Sequence, residues 1–307
     1  MYHRVVKRME PHMLDKGLYI SQQAFFENLQ FLKKETEFIG LADWLNGNSK
    51  PGKYCIVTFD DGWRDNYEVA FPILTDLGVP ATVFLTAKSI DSNDAPWFER
   101  LRFVLVDSFS NKQRMKYMAT IFKKYGIVDN QSGTLSTYSL YYILRDRLVG
   151  KNPEYIDRLL TDLETNSPTF SRRRRVMLNW EELRDMSRRG ITFGSHGLNH
   201  WAHPTLRTEE RREEIYTSKF LLENAGINFV PAFSFPNGLI DMESLAMIRQ
   251  AGYRGVFAAS KKNVRGIDCD FLYSRVCLSQ SVTGTDDLLA WRLAMCRLRK
   301  EFVCSGP

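Results

Sequence analysis

Asp60 and Asp61 stand side by side in VTFDDGWRDNY, where an apolar run ends. Two adjacent carboxylates repel each other and lose solvation together when buried. A bound cation or a proton-transfer task would offset that cost. Further along, GSHGLNHWAHPTL carries His196, His200 and His203. A lone histidine is most often structural or simply exposed. Two imidazoles four residues apart, next to glycines and after a strand, can converge on one ion. One aspartate with two histidines leaves coordination positions open, which suits a catalytic rather than a structural zinc. Such an ion would neutralise one aspartate, and its neighbour would remain an ionised base.

Those residues need a scaffold that brings distant segments to one edge. Short β-branched or aromatic runs recur: YCIVTFDD, PATVFLTA, ITFGSH, FVPAFSFP, YRGVFAAS and FLYSRVCLS. Amphipathic segments separate them, among them NYEVAFPILTDLG, ending at Gly78, and NWEELRDMSRRG. In the latter Asn179 reads as the N-cap, Glu182 as its capping-box partner and Gly190 as the stop. Alternating strands and helices predict an α/β fold around a parallel sheet, a barrel or a doubly wound layer. Ligands bind at the C-terminal edge of such sheets, where Asp60, Asp61 and His196 fall. From about Asn93 to Arg175 the rhythm breaks into four helical segments with no strand between them. This reads as a helical insertion in a single domain spanning 1–307, able to wall one side of a cleft.

Hydrophobic residues make up 44% and charged residues 25% of the 307, the profile of a globular chain. No apolar run approaches the roughly eighteen residues needed to cross a bilayer, and the N-terminus lacks a signal-peptide pattern, so a cytoplasmic location is expected. Five cysteines (Cys55, Cys269, Cys277, Cys296, Cys304) form no CxxC pair, which argues against a disulfide framework or a thiolate zinc site. The formal charge is +6, densest at Arg172 to Arg175. A solvated loop or helix end is the plain reading of that run, and docking to an anionic lipid surface or a phosphorylated substrate is its rival. No nucleic-acid-binding motif accompanies it.

TFDDG after one strand, SHxxxH after another and FSFPNG after a third, in that order, closely resemble the polysaccharide deacetylases of the carbohydrate esterase class. The resemblance covers Lys53 to about Ser89 and Val176 to about Ser279. It implies a distorted, incomplete (β/α) barrel and metal-dependent removal of acetyl groups from N-acetylated sugars. Carried over by motif position, it implies Asp61, His196 and His200 as metal ligands and Asp60 as the base. Zinc is the leading divalent ion, with cobalt, nickel or iron also compatible. FSFPNG places Phe235, Pro236 and Asn237 at the substrate, with the Asn237 N–H as an oxyanion donor of ~3 kcal/mol. Arg275 resembles the arginine of the last motif and is assigned to the substrate as well.

Ser234 and Asn237 stand where the family often has arginine and tyrosine, and no histidine follows His203 to supply a general acid. YHRV at Tyr2 to Val5 resembles the N-terminal strand motif of a subgroup in which that strand delivers the acid. On this resemblance His3 protonates the leaving amine, with His203 in reserve as a neighbouring or solvent-facing group. Only two residues precede His3, so a loosely anchored strand is the competing expectation. Trp63, Trp97 and Trp201 could stack on sugar faces or pack in the core. The expected activity is deacetylation of an acetamido sugar in glycan or cell-envelope biosynthesis. Deformylation of a lipid-linked amino sugar and saccharide binding without catalysis are the alternatives.

Overall fold

The apolar runs assemble into one parallel sheet whose C-terminal edge carries the candidate residues. The protein is described from a computed structural model, over residues 1–10, 13, 15, 17–92, 95–109, 111–127, 137–165, 175–259, 267 and 269–298. Strand β1 (Arg4–Val6) pairs in parallel with β2 (Tyr19–Ser21), and Ser21 caps helix α1 (Gln22–Glu35) by accepting from the Ala24 N–H at 3.2 Å. A small parallel pair, β3 (Glu37–Phe38) and β4 (Tyr54–Cys55), flanks α2 (Leu41–Leu45). The main sheet begins with β5 (Val57–Phe59), α3 (Phe71–Leu77) and β6 (Ala81–Leu85). Four helices follow: α4 (Trp97–Phe109), α5 (Lys112–Lys124), α6 (Thr137–Val149) and α7 (Pro153–Glu164). The sheet resumes through α8 (Trp180–Arg188), β7 (Thr192–Ser195), α9 (Thr208–Arg212), α10 (Ser218–Glu223) and β8 (Phe229–Ser234). It finishes with α11 (Met242–Gln250), β9 (Gly255–Ala258) and β10 (Leu272–Ser274), followed by α12 (Gln280–Thr283) and α13 (Asp286–Leu298).

The strand order is β10-β9-β8-β7-β6-β5, all parallel, curled into an incomplete barrel. Residues ahead of β1 join its two edges. Tyr2 N–H donates to Thr58 O at 2.8 Å and Asp60 N–H to Tyr2 O at 3.1 Å, while Leu278 N–H donates to Met1 O at 2.9 Å. Tyr2 packs edge-on against Phe25 and beside Phe59, fully buried. The strand carrying His3 is therefore anchored on both sides by backbone hydrogen bonds. The capping box of α8 forms as its sequence implies, with Asn179 Oδ1 accepting from Glu182 N–H at 2.7 Å. Glu182 also holds Arg175, the described end of the arginine run, while Arg172 to Arg174 lie outside the described residues.

Two helices differ from their even sequence pattern. A wide turn, Asn66–Ala70, precedes α3, and another, Glu213–Thr217, joins α9 to α10. Wide turns of this kind insert an extra residue and re-aim side chains. Here they direct Asn66 Nδ2 to His3 O at 2.8 Å and Glu214 to the histidine loop. The inserted helices surround a cluster of their own, including Leu101, Leu105, Leu144 and Leu159, into which Trp63 and Met177 from the sheet side also pack. No helix among the described residues is long and apolar enough to cross a membrane.

His203 lies in the core, not at a solvent-facing position. It is fully buried, packed on Phe233 and Phe235 with ring centroids 5.5 and 5.2 Å away, and its Nδ1 meets Ser244 Oγ at 2.9 Å. Burial pushes its pKa down to about 3. The unfolded chain then takes up a proton near pH 6.5 that the folded chain refuses, so stability is lost as pH falls below that value. The loss should approach about 1.4 kcal/mol per pH unit between pH 6 and 4, a slope that His203→Gln removes. Urea midpoints measured across this range would show it, and equal slopes in both proteins would mean that folded His203 protonates normally.

Candidate active site

Asp60 and Asp61 leave β5 through a tight turn in which Asp61 has φ 74° and Gly62 φ 85°. The positive φ at Gly62 favours glycine, and a Cβ there would also press on Leu85 Cδ2 of β6 at 2.8 Å. His196 follows β7 directly, and His200 ends the next loop at φ 66°. Buried Glu214 shapes that loop, accepting from Leu198 N–H at 2.8 Å, Asn199 N–H at 3.0 Å and Asn199 Nδ2 at 2.7 Å. Burial pushes its carboxyl above the usual range even so. Gly197, at φ 80°, leaves room for it, since a Cβ there would sit 2.7 Å from Glu214 Oε2.

Asp61 Oδ1 faces His200 Nε2 at 3.1 Å and His196 Nε2 at 3.4 Å, all three residues buried. His196 Nδ1 meets the Ser234 carbonyl at 2.7 Å, so Nδ1 carries the proton and the Nε2 lone pair points at the carboxylate. Acceptor thus faces acceptor, and Asp61 Oδ1 has no hydrogen-bond donor. Burial would lower the His196 pKa, but the Asp60 and Asp61 carboxylates raise it, which shows how strongly the cluster favours positive charge. Two imidazole nitrogens and one carboxylate oxygen are a donor set that zinc and its first-row neighbours accept. The residues fit a divalent ion.

Arg275, assigned to the substrate from its motif, lies against Asp60 instead. Its Nη1 and Nη2 each donate to a different Asp60 oxygen at 2.7 Å, and Nη2 also reaches Ser234 Oγ at 2.7 Å. Burial would raise the Asp60 pKa, but the guanidinium overcomes it and holds the carboxyl below the usual range. Ser234, too short to fill the position where the family often has arginine, leaves space for an arginine arriving from β10. His3 lines the cleft near both aspartates, and burial lowers its pKa against their opposing pull. Phe235 and Asn237 line the cleft, the latter at φ 57°, while buried Pro236 packs behind at the Gly197 turn.

Trp63 and Trp97 are buried and unavailable to a sugar, and Trp201 packs partly buried on the insertion core. Trp63 has another contact that sequence reasoning missed. Its indole N–H donates to Asp61 Oδ2 at 2.8 Å, leaving Oδ1 as the oxygen turned toward both histidines. Arg4 stacks over the Trp63 ring at 4.3 Å and pairs with Asp65 at 2.7 Å and with Glu99 of α4 at 3.2 Å. A DDGW run signals the indole only once the turn geometry is known. The cleft above the cluster measures about 520 Å³, and Asp15, Phe98, Tyr142, Arg145, Asp146 and Val149 form its outer wall.

The indole contact generates a test. Groups bonded to a metal ligand orient it, and their loss typically weakens binding about 10- to 100-fold. Trp63→Phe keeps an aromatic ring in the core and removes the N–H, so zinc affinity in a chelator competition should fall by that factor. Unchanged affinity in a variant with an unchanged melting profile would show that Asp61 orients itself.

Comparison with known proteins agrees with this geometry. A 47-residue stretch is 47% identical to YxkH of Bacillus subtilis (strain 168), covering 15% of this chain and only 17% of that relative's length. The deacetylase PplD of Streptococcus pyogenes, solved with acetate, superposes over 95% of both chains at 18% identity with a TM-score of 0.57. IcaB from Ammonifex degensii superposes over 95% of this chain and 94% of its own, at 18% identity and a TM-score of 0.55. At such identities the superpositions speak for the fold. Residues 47–127 and 140–256 match the polysaccharide deacetylase family, spanning both aspartates, both cluster histidines and Asn237, and the chain belongs to that family.

Proposed function

We propose that the protein hydrolyses the N-acetyl group of an acetamido sugar in a glycan, free or lipid-linked, with zinc as its metal. The observation that carries this reading is the Asp60–Arg275 pair set beside the Asp61, His196 and His200 cluster on the floor of one cleft. An ion held by those three residues would polarise the acyl carbonyl and acidify water. Asp60 is the base that takes a proton from the attacking water. Its Arg275 partner keeps it ionised and fixes both its oxygens, so the carboxylate cannot swing away from the reacting atoms. A buried ionised base of this kind works only because its counter-charge is built in. The Asn237 N–H, in a left-handed turn at the cleft wall, donates to the oxygen that gains charge in the tetrahedral stage. His3, in its protonated form, which the two nearby carboxylates favour against burial, hands a proton to the departing sugar nitrogen and completes the acid–base pair.

Deacetylation of small N-acetylated oligosaccharides, followed by amine release, tests the reading. Asp60→Asn should lower kcat by about 10²- to 10⁴-fold while zinc still binds. Loss of zinc in that variant would mean that the two aspartates have exchanged roles. His3→Ala should slow turnover by a smaller factor, about 10²-fold, with zinc affinity retained. A His3→Ala enzyme as fast as its parent would remove His3 from the mechanism, and a parent inactive on every glycan offered would sink the reading as a whole.

A further inference from the structure

The outer wall of the cleft is built from parts that the chemistry above does not use. Asp15, from the segment between β1 and β2, is buried, and its carboxylate is gripped by α6. Tyr142 OH donates to Asp15 Oδ1 at 2.7 Å, Gly17 N–H to the same oxygen at 3.0 Å, and Arg145 pairs with Oδ2. The Arg145 guanidinium lies over the Tyr142 ring, 5.0 Å from its centroid, and its other nitrogen reaches Asp146 at 3.3 Å. Asp146 itself is 70% exposed, although Tyr142, Arg145 and Asp146 all line the cleft.

We infer that Tyr142, Arg145 and Asp146 form a subsite for an uncharged sugar ring of the same glycan whose acetamide reaches the cluster below. This rests on the deacetylase reading and deepens it. Sugar hydroxyls both donate and accept, so a carboxylate and a guanidinium side by side on one helix match adjacent hydroxyls on one ring. The Asp15 grip holds Tyr142 and Arg145 in place before ligand arrives, which reduces the ordering cost of binding. Two carboxylates against one guanidinium leave this wall with a net negative charge, so it disfavours a phosphate and accepts a neutral ring. The cleft volume of about 520 Å³ lies in the range of small-ligand pockets, consistent with a short glycan segment spanning wall and floor.

The experiment compares zinc-loaded full chain and Asp146→Ala with N-acetylglucosamine oligomers of one to five sugars. Equilibrium binding and, where turnover occurs, KM are read for each length. Asp146→Ala should weaken the longer oligomers about tenfold and the single sugar far less, without changing zinc affinity. Tyr142→Phe, which keeps the ring and loses the Asp15 hydrogen bond, should act in the same direction by a smaller factor. An equal effect on all lengths, or none, overturns the subsite, as does inorganic phosphate binding that depends on Arg145. Length-dependent binding that Asp146→Ala abolishes supports the subsite even if no amide is cleaved, whereas deacetylation with a flat length profile supports the reaction alone.

Discussion

One oxygen of Asp61 is held by an indole N–H and the other faces two imidazole nitrogens with no proton donor between them. That Asp61 oxygen and the His196 Nε2 lone pair are buried acceptors that repel unless positive charge sits between them, and the surrounding structure is arranged around that requirement. The His196 ring is turned by a backbone carbonyl, the His200 loop is shaped by a buried glutamate, and Asp61 is oriented from behind by Trp63. Each of these contacts comes from a different strand end or helix, so the cluster depends on the whole curled sheet.

Asp60, one residue away, has a different partner. Arg275 supplies the charge that burial would otherwise deny it and holds its carboxyl below the usual range. The two adjacent carboxylates are therefore turned to different partners. That separation needs β10 to lie far along the sheet from β5 and yet curl back to it, which the residues ahead of β1 secure by bonding to both edges. The same residues carry His3 into the cleft.

The inserted helices are more than an appendage to this arrangement. Phe98 of α4 lies 4.9 Å from the His200 ring, and Glu99 of the same helix reaches Arg4 behind Trp63. Their packing thus extends to the back of the His200 ring on one side and, through α6, forms the outer wall of the cleft on the other.

Sequence alone determined the alternation of strands and helices, the four inserted helices, the α8 capping box and the pairing of His196 with His200 after a strand, because local periodicity and strand-end motifs are written in neighbouring residues; that Asp61 joins them followed from the family resemblance. Sequence also put Asp60 at a strand end, while His3 and Asn237 entered only through the resemblance of their motifs to the family. What only the tertiary structure decided were the partners. Arg275 could be read as a substrate group until β10 was seen curling back onto Asp60, and His203 as a free group until Phe233, Phe235 and Ser244 were seen around it. Trp63 reads as a stacking platform or a core residue until its N–H is found on Asp61, and Asp15 with Tyr142 and Arg145 leaves no motif at all, being 127 and 130 positions apart. The physical reason is common to all four: a side chain's charge, exposure and hydrogen-bond partner are set by segments distant in sequence, and only closure of the sheet and docking of the insertion bring those segments together.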